Sequence, residues 1–486
     1  MASANSSPRV SFVLLAILAS VILIWFGTGL NPRWPLLWLA PLPVLIVAAR
    51  GSWRLAACTA FVAWAFGNLN VWHYFSAALH VPLVVRLEIV VFPALIFTLA
   101  VLLFRALLRR GAVWSSLLAF PAAWVSFEYL LNLTSPHGTA SNLAYSQLKF
   151  LPVVQLASVT GPWGISFVVL AFSCALAVGV HLRKSAPVQA LRVVGATICV
   201  VAAILIFGEV RLALPPPPGH TVKVGLVASD LPANANVASP GVDTERLMHE
   251  YAAQAETLAS AGVQVIVLPE HLGTVVDPHM AAIDAIFQPL VDKTGATVIV
   301  GLGHISTQKK YNQARVYQPS MQVSSYNKHH LLPPYESIFN PGASLLTLPE
   351  PDGNWGVAIC KDMDFTPLSR QYGNQSVGLL LVPGWDFQMD RLYHGHMAIL
   401  RGVESGFAIA HAARGGYLTV TDNRGRILAE TQSNSAPFAT LIAEVPVVHD
   451  RTLYLLLGDW FAWLTLAVLA FTLVRLIQPV RRAAVQ

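Results

Sequence analysis

Charged residues are scarce in this sequence. Only 12% of its 486 residues are Asp, Glu, Lys or Arg, against roughly 25% in an average soluble domain, and the mean hydropathy is +0.57. A chain that is soluble along its whole length is therefore excluded. The apolar excess is concentrated in residues 10–210 and 453–478, whereas residues 220–450 carry charged side chains throughout, as a globular domain does.

Cysteine is also scarce, with four in the chain. Cys58, Cys174 and Cys199 lie in apolar runs, and only Cys360 lies in the polar region. Cys360 therefore has no disulfide partner within that region, and no Cys/His spacing suggests a zinc site. The net charge of +6 does not indicate nucleic-acid binding, because the basic residues cluster at the ends of apolar runs.

Long apolar runs are what the sequence has in abundance. A membrane-spanning helix needs about 20 mostly apolar residues, and eight runs are candidates. They are 12–30, 34–49, 55–79, 82–108, 113–132, 162–182, 192–210 and 456–478. Lys and Arg concentrate in alternate connections, which eight spans place together on the cytoplasmic side. The polar domain between the last two spans is then predicted to lie on the outer side.

These observations predict a division of the chain into four parts. A membrane domain of about seven helices covers 1–213, a Pro-rich linker 214–220, a polar domain 221–450, and a last helix with a cytoplasmic tail 451–486. The linker sequence LPPPPGH is typical of a stiff, extended spacer.

The polar domain reads as a mixture of strands and helices. Strands are predicted at 222–228, 263–270, 296–303, 320–328, 355–360, 378–385, 407–422 and 438–447, and helices at 243–262, 279–295 and 390–406. Several strand runs are continuously apolar rather than alternating, which is typical of strands buried on both faces. We therefore predict an α/β architecture with sheet inside and helices outside.

Three reactive side chains close predicted strands. Glu270 follows VIVLP, Lys328 follows SSYN, and Cys360 follows WGVAI. Each alone is usually structural, as a solvated carboxylate, a surface lysine or a small buried cysteine. Together they form a coherent set for acyl transfer through a thioester. A thiol attacks as thiolate, a carboxylate can take its proton, and an ammonium can hold the thiolate and the oxyanion.

The chain also resembles the apolipoprotein N-acyltransferases, the membrane branch of the nitrilase (carbon–nitrogen hydrolase) superfamily. The resemblance rests on LPE at 268–270, YNKHHLLPPYE at 326–336, GVAIC at 356–360, HGHMAILRGVE at 394–404, PAAWVSFE at 121–128, AYSQ at 144–147 and RTLYLLLGDW at 451–460. It implies an α-helical membrane domain of about eight spans joined to a nitrilase-like αββα sandwich.

The resemblance implies the following chemistry. Glu270 is the base, Lys328 the oxyanion and thiolate stabiliser, Cys360 the nucleophile, and Glu336 a second essential carboxylate. Cys360 takes a fatty acyl chain from a phospholipid, and the α-amine of a diacylglyceryl-cysteine lipoprotein then attacks the thioester. No cofactor or metal is expected. The expected location is the bacterial inner membrane, with the catalytic domain periplasmic; the oligomeric state is left open.

Other interpretations stay open. The wording Cys360-Lys361-Asp362 is more familiar from soluble amidases, so a membrane-anchored carbon–nitrogen hydrolase is the alternative, and a catalytically silent binding protein is a third. Lys361 is either an exposed charge or a second cation for a lipid phosphate or the thiolate. Asp362 is expected to fix the turn after Cys360, and Trp385 to line an acyl groove or the core. Residues 304–320 and 338–347 are predicted as mobile apolar loops.

Overall fold

The computed structural model describes residues 8–215, 220–234, 236–351 and 353–478. Its α-helices are α1 (Val10–Gly27), α2 (Trp34–Leu37), α3 (Leu42–Arg50), α4 (Trp53–Gly67), α5 (Leu83–Arg109), α6 (Val113–Thr134), α7 (Leu151–Val154), α8 (Ala157–Thr160), α9 (Pro162–Leu182), α10 (Pro187–Ala213), α11 (Val242–Ser260), α12 (Asp277–Thr294), α13 (Thr366–Asn374), α14 (Tyr393–Ser405), α15 (Leu453–Leu457) and α16 (Trp460–Ile477). Shorter 3₁₀ segments include Leu143–Gln147 and Cys360–Asp364.

The strands are β1 (Thr221–Ala228), β2 (Val265–Val267), β3 (Thr274–Val276), β4 (Thr297–Ile305), β5 (Lys310–Tyr317), β6 (Ser324–Asn327), β7 (Leu346–Leu348), β8 (Asn354–Val357), β9 (Val377–Trp385), β10 (Ala408–Arg414), β11 (Tyr417–Thr421), β12 (Ile427–Gln432) and β13 (Ala439–Pro446). The chain forms two compact units. The first comprises residues up to 133, 141–211 and those from 457 onward, and the second comprises 134–140 and 212–456. Most of the predicted linker, 216–219, lies outside the described residues.

The first unit is helical. Within the described residues, six helices are long and apolar enough to cross a membrane, namely α1, α5, α6, α9, α10 and α16. The two other predicted spans fold differently. Residues 34–49 form α2 and α3 with a turn between them. Pro41, which ends the turn, and Pro43, in the first turn of α3, have no backbone N–H to continue α2. Residues 55–79 leave the α-helix at Gly67 and continue in 3₁₀ and π turns. The predicted count of eight is therefore approximate.

Gly67 shows why the helix ends there. A Cβ at this position would lie 2.6 Å from the Cβ of Ile24 in α1, so only glycine allows the two helices to approach so closely. Ile24 is fully buried at this contact. The packing of α1 on α4 thus depends on a residue that is also a poor helix former.

The second unit is an αββα sandwich. One sheet has the order β13-β1-β2-β4-β5-β6, with β3 paired to β4, and the other has the order β12-β11-β10-β9-β8-β7. Apolar side chains of both sheets form one shared core. Helices α11 and α12 pack on the outer face of the first sheet, and α13 and α14 on that of the second. The predicted nitrilase-like fold class is confirmed.

Two predictions for this unit are wrong. Residues 304–320 were expected to be a mobile loop, but 310–317 form β5, which pairs with both β4 and β6. Residues 407–422 form two antiparallel strands, β10 and β11, rather than one. Gly415 makes the turn between them with φ +66°, a backbone conformation that glycine adopts without strain.

Candidate active site

The predicted site residues follow strand ends. Glu270 comes three residues after β2, Lys328 directly after β6, and Cys360 three residues after β8. Both sheets contribute, because β2 and β6 belong to the first sheet and β8 to the second. The N–H of Glu270 donates to the carbonyl of Gly384 in β9, at 3.2 Å, which joins the two sheets at this point.

An ionic cluster forms around Lys328. Its Nζ donates to Glu270 Oε1 at 2.6 Å and to Glu336 Oε2 at 2.9 Å. Asn312 Nδ2 donates to Glu270 Oε1 at 2.6 Å and also to Glu336. All four side chains are buried. One ammonium and one amide therefore hold two carboxylates, so both carboxylates accept hydrogen bonds even though they are out of water.

Burial and mutual charge set the protonation of this cluster. Burial raises the pKa of Glu270, Lys328 opposes the shift, and the charge of Glu336 adds to it. Burial acts in the same direction on Glu336, but contact with Lys328 outweighs it and leaves that pKa lowered. Burial alone would lower the pKa of Lys328, yet the two carboxylates hold it well above its usual range. Lys328 is thus a permanent cation, and Glu270 has the higher pKa of the two carboxylates.

Cys360 sits in a strained backbone conformation. Its φ is +43°, in the left-handed region that non-glycine residues rarely adopt, and such strain concentrates at functional sites. The side chain is half-buried, and its thiol donates to the carbonyl of Trp385 at 3.7 Å. Burial raises the pKa of the thiol, and Glu270 raises it further while Lys328 lowers it. The resting residue is therefore a thiol that needs a base.

Asp362 holds the turn that begins at Cys360. Its Oδ2 accepts from the N–H of Ile359 at 3.0 Å and from the Tyr326 hydroxyl at 2.8 Å, and its Oδ1 accepts from the N–H of His330 at 2.9 Å. It is fully buried. Burial would raise its pKa, but these donors lower it, so Asp362 stays ionised. The carboxylate ties the turn to the chain around Lys328.

Comparison with known proteins gives two adjacent matches. The model of the apolipoprotein N-acyltransferase N-terminal domain matches residues 20–175, and that of the carbon–nitrogen hydrolase matches residues 234–449. An apolipoprotein N-acyltransferase of Geobacter metallireducens is 25% identical, over 95% of this chain and 94% of its own. One from Vibrio vulnificus is 23% identical over 89% and 92%.

The chain thus matches both domain models and is similar to apolipoprotein N-acyltransferases over nearly its whole length. A solved structure of an amidase from Nesterenkonia sp. also matches, with 19% identity, a TM-score of 0.41, and coverage of 52% of this chain and 99% of that one. Together with the six apolar helices, the similarity to these relatives indicates a membrane protein.

Lys361, the residue that follows Cys360, is not exposed. Its side chain is 6% accessible, and its Nζ donates to Asp364 Oδ2 at 3.0 Å and lies 3.3 Å from His137 Nδ1. The expectation of an exposed charge at Lys361 is therefore wrong, because the ammonium is folded back into the turn. Its charge is balanced within the turn by Asp364.

Trp385, the last residue of β9, is held by a buried arginine. The Arg414 guanidinium carbon lies 3.6 Å from the centroid of the indole ring, and Nη2 donates to the carbonyl of His271 at 3.0 Å. Burial lowers the pKa of Arg414 to about 10, which leaves it charged at neutral pH. Trp385 is thereby fixed beside Cys360, with its carbonyl toward the thiol.

Sequence reasoning missed two residues of the candidate site, Asn312 and Arg414. Asn312 lies in β5, which was taken for a loop, and Arg414 ends β10, which was taken for the middle of a longer strand. A polar residue inside an otherwise strand-like run was the available signal, since a buried polar group needs a partner. Both residues contact groups that the sequence did identify.

Proposed function

We propose that this protein transfers a fatty acyl chain from a phospholipid, through a thioester on Cys360, to the N-terminal α-amine of a diacylglyceryl-cysteine lipoprotein. One observation carries the proposal. A strained, half-buried cysteine shares a site with a permanent lysine cation and with a carboxylate of raised pKa. The names of the relatives support N-acylation of lipoproteins at the level of the family.

The first half-reaction forms the thioester. Glu270 takes the proton of the Cys360 thiol, and the thiolate attacks the acyl ester carbonyl of the phospholipid. Lys328 stabilises the oxyanion of the tetrahedral intermediate. The intermediate expels the glycerol oxygen, which receives the proton from Glu270 and leaves as a lysophospholipid. The Glu336 carboxylate accepts a hydrogen bond from Lys328 and so partly balances the charge of the ammonium beside Glu270.

The second half-reaction forms the amide. The neutral α-amine attacks the thioester carbonyl, Glu270 takes a proton from the nitrogen, and Lys328 again holds the oxyanion. Collapse breaks the carbon–sulfur bond, and the sulfur receives the proton from Glu270. Cys360 and Glu270 return to their starting states, so each turnover consumes one phospholipid and one amine without a cofactor or metal.

Lipid substrates agree with the surroundings of the site. Tyr335 and Ile338, on the loop after Lys328, and Met389, on the loop after Trp385, are exposed apolar side chains. The rings of Tyr335 and Phe387 lie 5.8 Å apart and join the two loops. We also propose that the protein resides in the bacterial inner membrane with residues 221–450 on the periplasmic side, and we keep the boundaries 1–213, 214–220, 221–450 and 451–486 as proposals.

Intact mass spectrometry tests the thioester. Purified full-length protein incubated with phosphatidylethanolamine is expected to gain a fatty-acyl mass that hydroxylamine removes, and Cys360→Ala is expected to gain none. Cys199→Ser is the matched control, because Cys199 lies in α10, outside the catalytic unit, and should retain the adduct. An adduct that survives in Cys360→Ala would overturn the proposal.

A hydrolase remains the second candidate because the sequence Cys360-Lys361-Asp362 resembles the motif around the nucleophile of soluble amidases. It predicts a different outcome of the same experiment. Phospholipid would leave no adduct, whereas a simple amide would acylate Cys360 and release ammonia or an amine.

A further inference from the structure

Residues 134–140 are a short segment with an unusual position. In sequence they lie between α6 and the 3₁₀ segment Leu143–Gln147, both largely in the helical first unit. In the structure they belong to the second unit, with the αββα sandwich. Their contacts there are made with the Cys360–Asp364 turn and with α14, which raises the question of what this segment does for the candidate nucleophile.

Thr139 binds the end of the turn. Its N–H and its Oγ1 both donate to the carbonyl of Asp364, at 2.9 and 2.7 Å. Carbonyls at the last turn of a helix lack intrahelical donors, so this contact satisfies a group that the turn itself cannot satisfy. Thr139 is 3% exposed, and Arg401 of α14 lies 3.5 Å from its hydroxyl. The contact is therefore a fixed part of the interior.

Gly138 makes the close approach possible. Its φ is +50°, and a Cβ at this position would lie 2.5 Å from the carbonyl oxygen of Asp364. Any other residue would have to adopt a strained backbone and displace the turn. Tyr393 of α14 donates to the carbonyl of Ala140 and holds the other end of the segment.

His137 completes the contact through Lys361. The Lys361 ammonium carries only donors, so His137 Nδ1, at 3.3 Å, must be the acceptor and the imidazole must be neutral. Burial lowers the pKa of His137, the charge of Lys361 lowers it further, and Asp364 opposes them. His137, Lys361 and Asp364 thus form one hydrogen-bonded chain across the turn.

The turn is held from two sides. Asp362 ties it to Tyr326 and His330, and residues 137–139 tie it at Lys361 and Asp364. A cysteine at φ +43° persists only where its surroundings over-determine that conformation. We infer that residues 137–139 are a clamp that positions Cys360, with Thr139 and His137 as positioning residues. The inference deepens the proposed function and rests on it only in taking Cys360 as the nucleophile.

Alkylation of Cys360 tests the clamp without any substrate. Full-length protein in detergent is treated with iodoacetamide between about pH 7 and 11, a range that extends above the usual thiol pKa, and the Cys360 peptide is followed by mass spectrometry. Thr139→Val keeps the shape of the side chain and removes its hydroxyl. Without the clamp, the turn relaxes and the thiol escapes both burial and the charge of Glu270, the two causes that raise its pKa most, so the alkylation midpoint should fall by about one pH unit. Thr139→Ser should restore it.

Controls and acyl transfer complete the test. Thr257→Val is the matched control, because Thr257 is exposed on α11 and bonds only its own helix. In Thr139→Val, kcat for acyl transfer should fall by about tenfold with KM within about twofold. An alkylation midpoint in Thr139→Val equal to that of Thr257→Val overturns the clamp. If alkylation behaves as expected and phospholipid leaves no adduct on wild type, the proposed donor fails and the clamp stands.

A second pair of variants decides the matter if Thr139→Val does not fold. His137→Gln keeps an acceptor for Lys361, whereas His137→Leu removes it. The clamp requires His137→Leu to lower the Cys360 alkylation midpoint while His137→Gln stays at the wild-type value. Equal midpoints for the two variants would show that the contact to Lys361 has no part in positioning Cys360.

Discussion

Asn312 is the neutral hydrogen-bond donor that the two carboxylates of the site share. Its amide reaches both Glu270 and Glu336, which also share Lys328. A donor to a carboxylate stabilises the ionised form and so lowers its pKa. Asn312 therefore restrains the upward shift that burial imposes on Glu270. The residue tunes the base and never has to touch substrate.

We predict that Asn312→Leu moves the pH dependence of acyl transfer. Loss of the amide donor raises the pKa of Glu270 further, so the base becomes protonated at a higher pH. The acid limb of kcat/KM should shift upward by about one pH unit, and kcat/KM on that limb should fall by up to about tenfold. Initial rates across the pH range measure both effects.

Gln313→Leu is the control for this prediction. Gln313 is the next residue of β5 and is equally buried, but its amide donates to Asn327 rather than to the carboxylates. It should lose stability without a shift of the acid limb. An acid limb that stays in place in Asn312→Leu would mean that Asn312 does not act on the base.

At the scale of elements, β4 positions Glu270. The N–H of Leu268 donates to the carbonyl of Ile299, and that of Leu272 to the carbonyl of Gly301, both at 2.9 Å. The segment that carries Glu270 therefore lies directly beside β4. A Cβ on Gly301 would lie 2.2 Å from the carbonyl oxygen of Pro269 and 2.6 Å from the Cα of Glu270. Only glycine leaves room for the base at this point of the strand.

Gly301→Ala should therefore displace Glu270. We expect overpacking to cost about 1–3 kcal/mol of the free energy of unfolding, and acyl transfer to fall by at least about tenfold because the base moves away from Lys328 and Cys360. Thermal unfolding and initial rates measure the two effects. In Gly295→Asn both should stay near wild type, since Gly295 caps α12 at φ +76° with open space around it and asparagine tolerates that conformation. Full activity in Gly301→Ala would contradict this role of β4.

The elements also separate what sequence could predict from what it could not. Continuous apolar runs predict β1, β4 and β9 because both faces of these strands are buried. Strand β5 was missed because the polar residues Asn312 and Gln313 suggested an exposed segment, whereas both are buried and their side-chain N–H groups donate to other buried or partly buried side chains. The proximity of Glu270 and Lys328 followed from the rule that chemistry gathers at strand ends. Thr139 could not be found, because its contact with Asp364 spans more than two hundred residues and leaves no local pattern.

At the scale of the whole molecule, the chain combines a helical unit, whose long apolar helices are suited to a bilayer, with an αββα unit of ordinary globular composition. A buried polar cluster in the helical unit shows how a polar side chain can be held there without water. Glu128 of α6 accepts from Trp124, Asn142 and the N–H of Leu143 within 3.0 Å, so its charge is satisfied by the protein rather than by water. In this way a polar residue can be kept in a helix that is otherwise apolar.

Topology is the last prediction, and the distribution of basic residues makes it sharp. Lys and Arg near the ends of apolar runs favour the cytoplasm, so the connection between α9 and α10, with Arg183 and Lys184, should be cytoplasmic and the αββα unit periplasmic. Cysteines are placed one at a time at Ser185 and Ser435, both exposed, with Cys58, Cys199 and Cys360 replaced by serine, which leaves only the buried Cys174 of the native cysteines. A membrane-impermeant maleimide should label Ser435→Cys in intact spheroplasts, and Ser185→Cys only after permeabilisation. Labelling of both positions without permeabilisation would mean that the number of spans between them is even. The reverse order would mean that the orientation is inverted, and a periplasmic lipoprotein could then not reach Cys360.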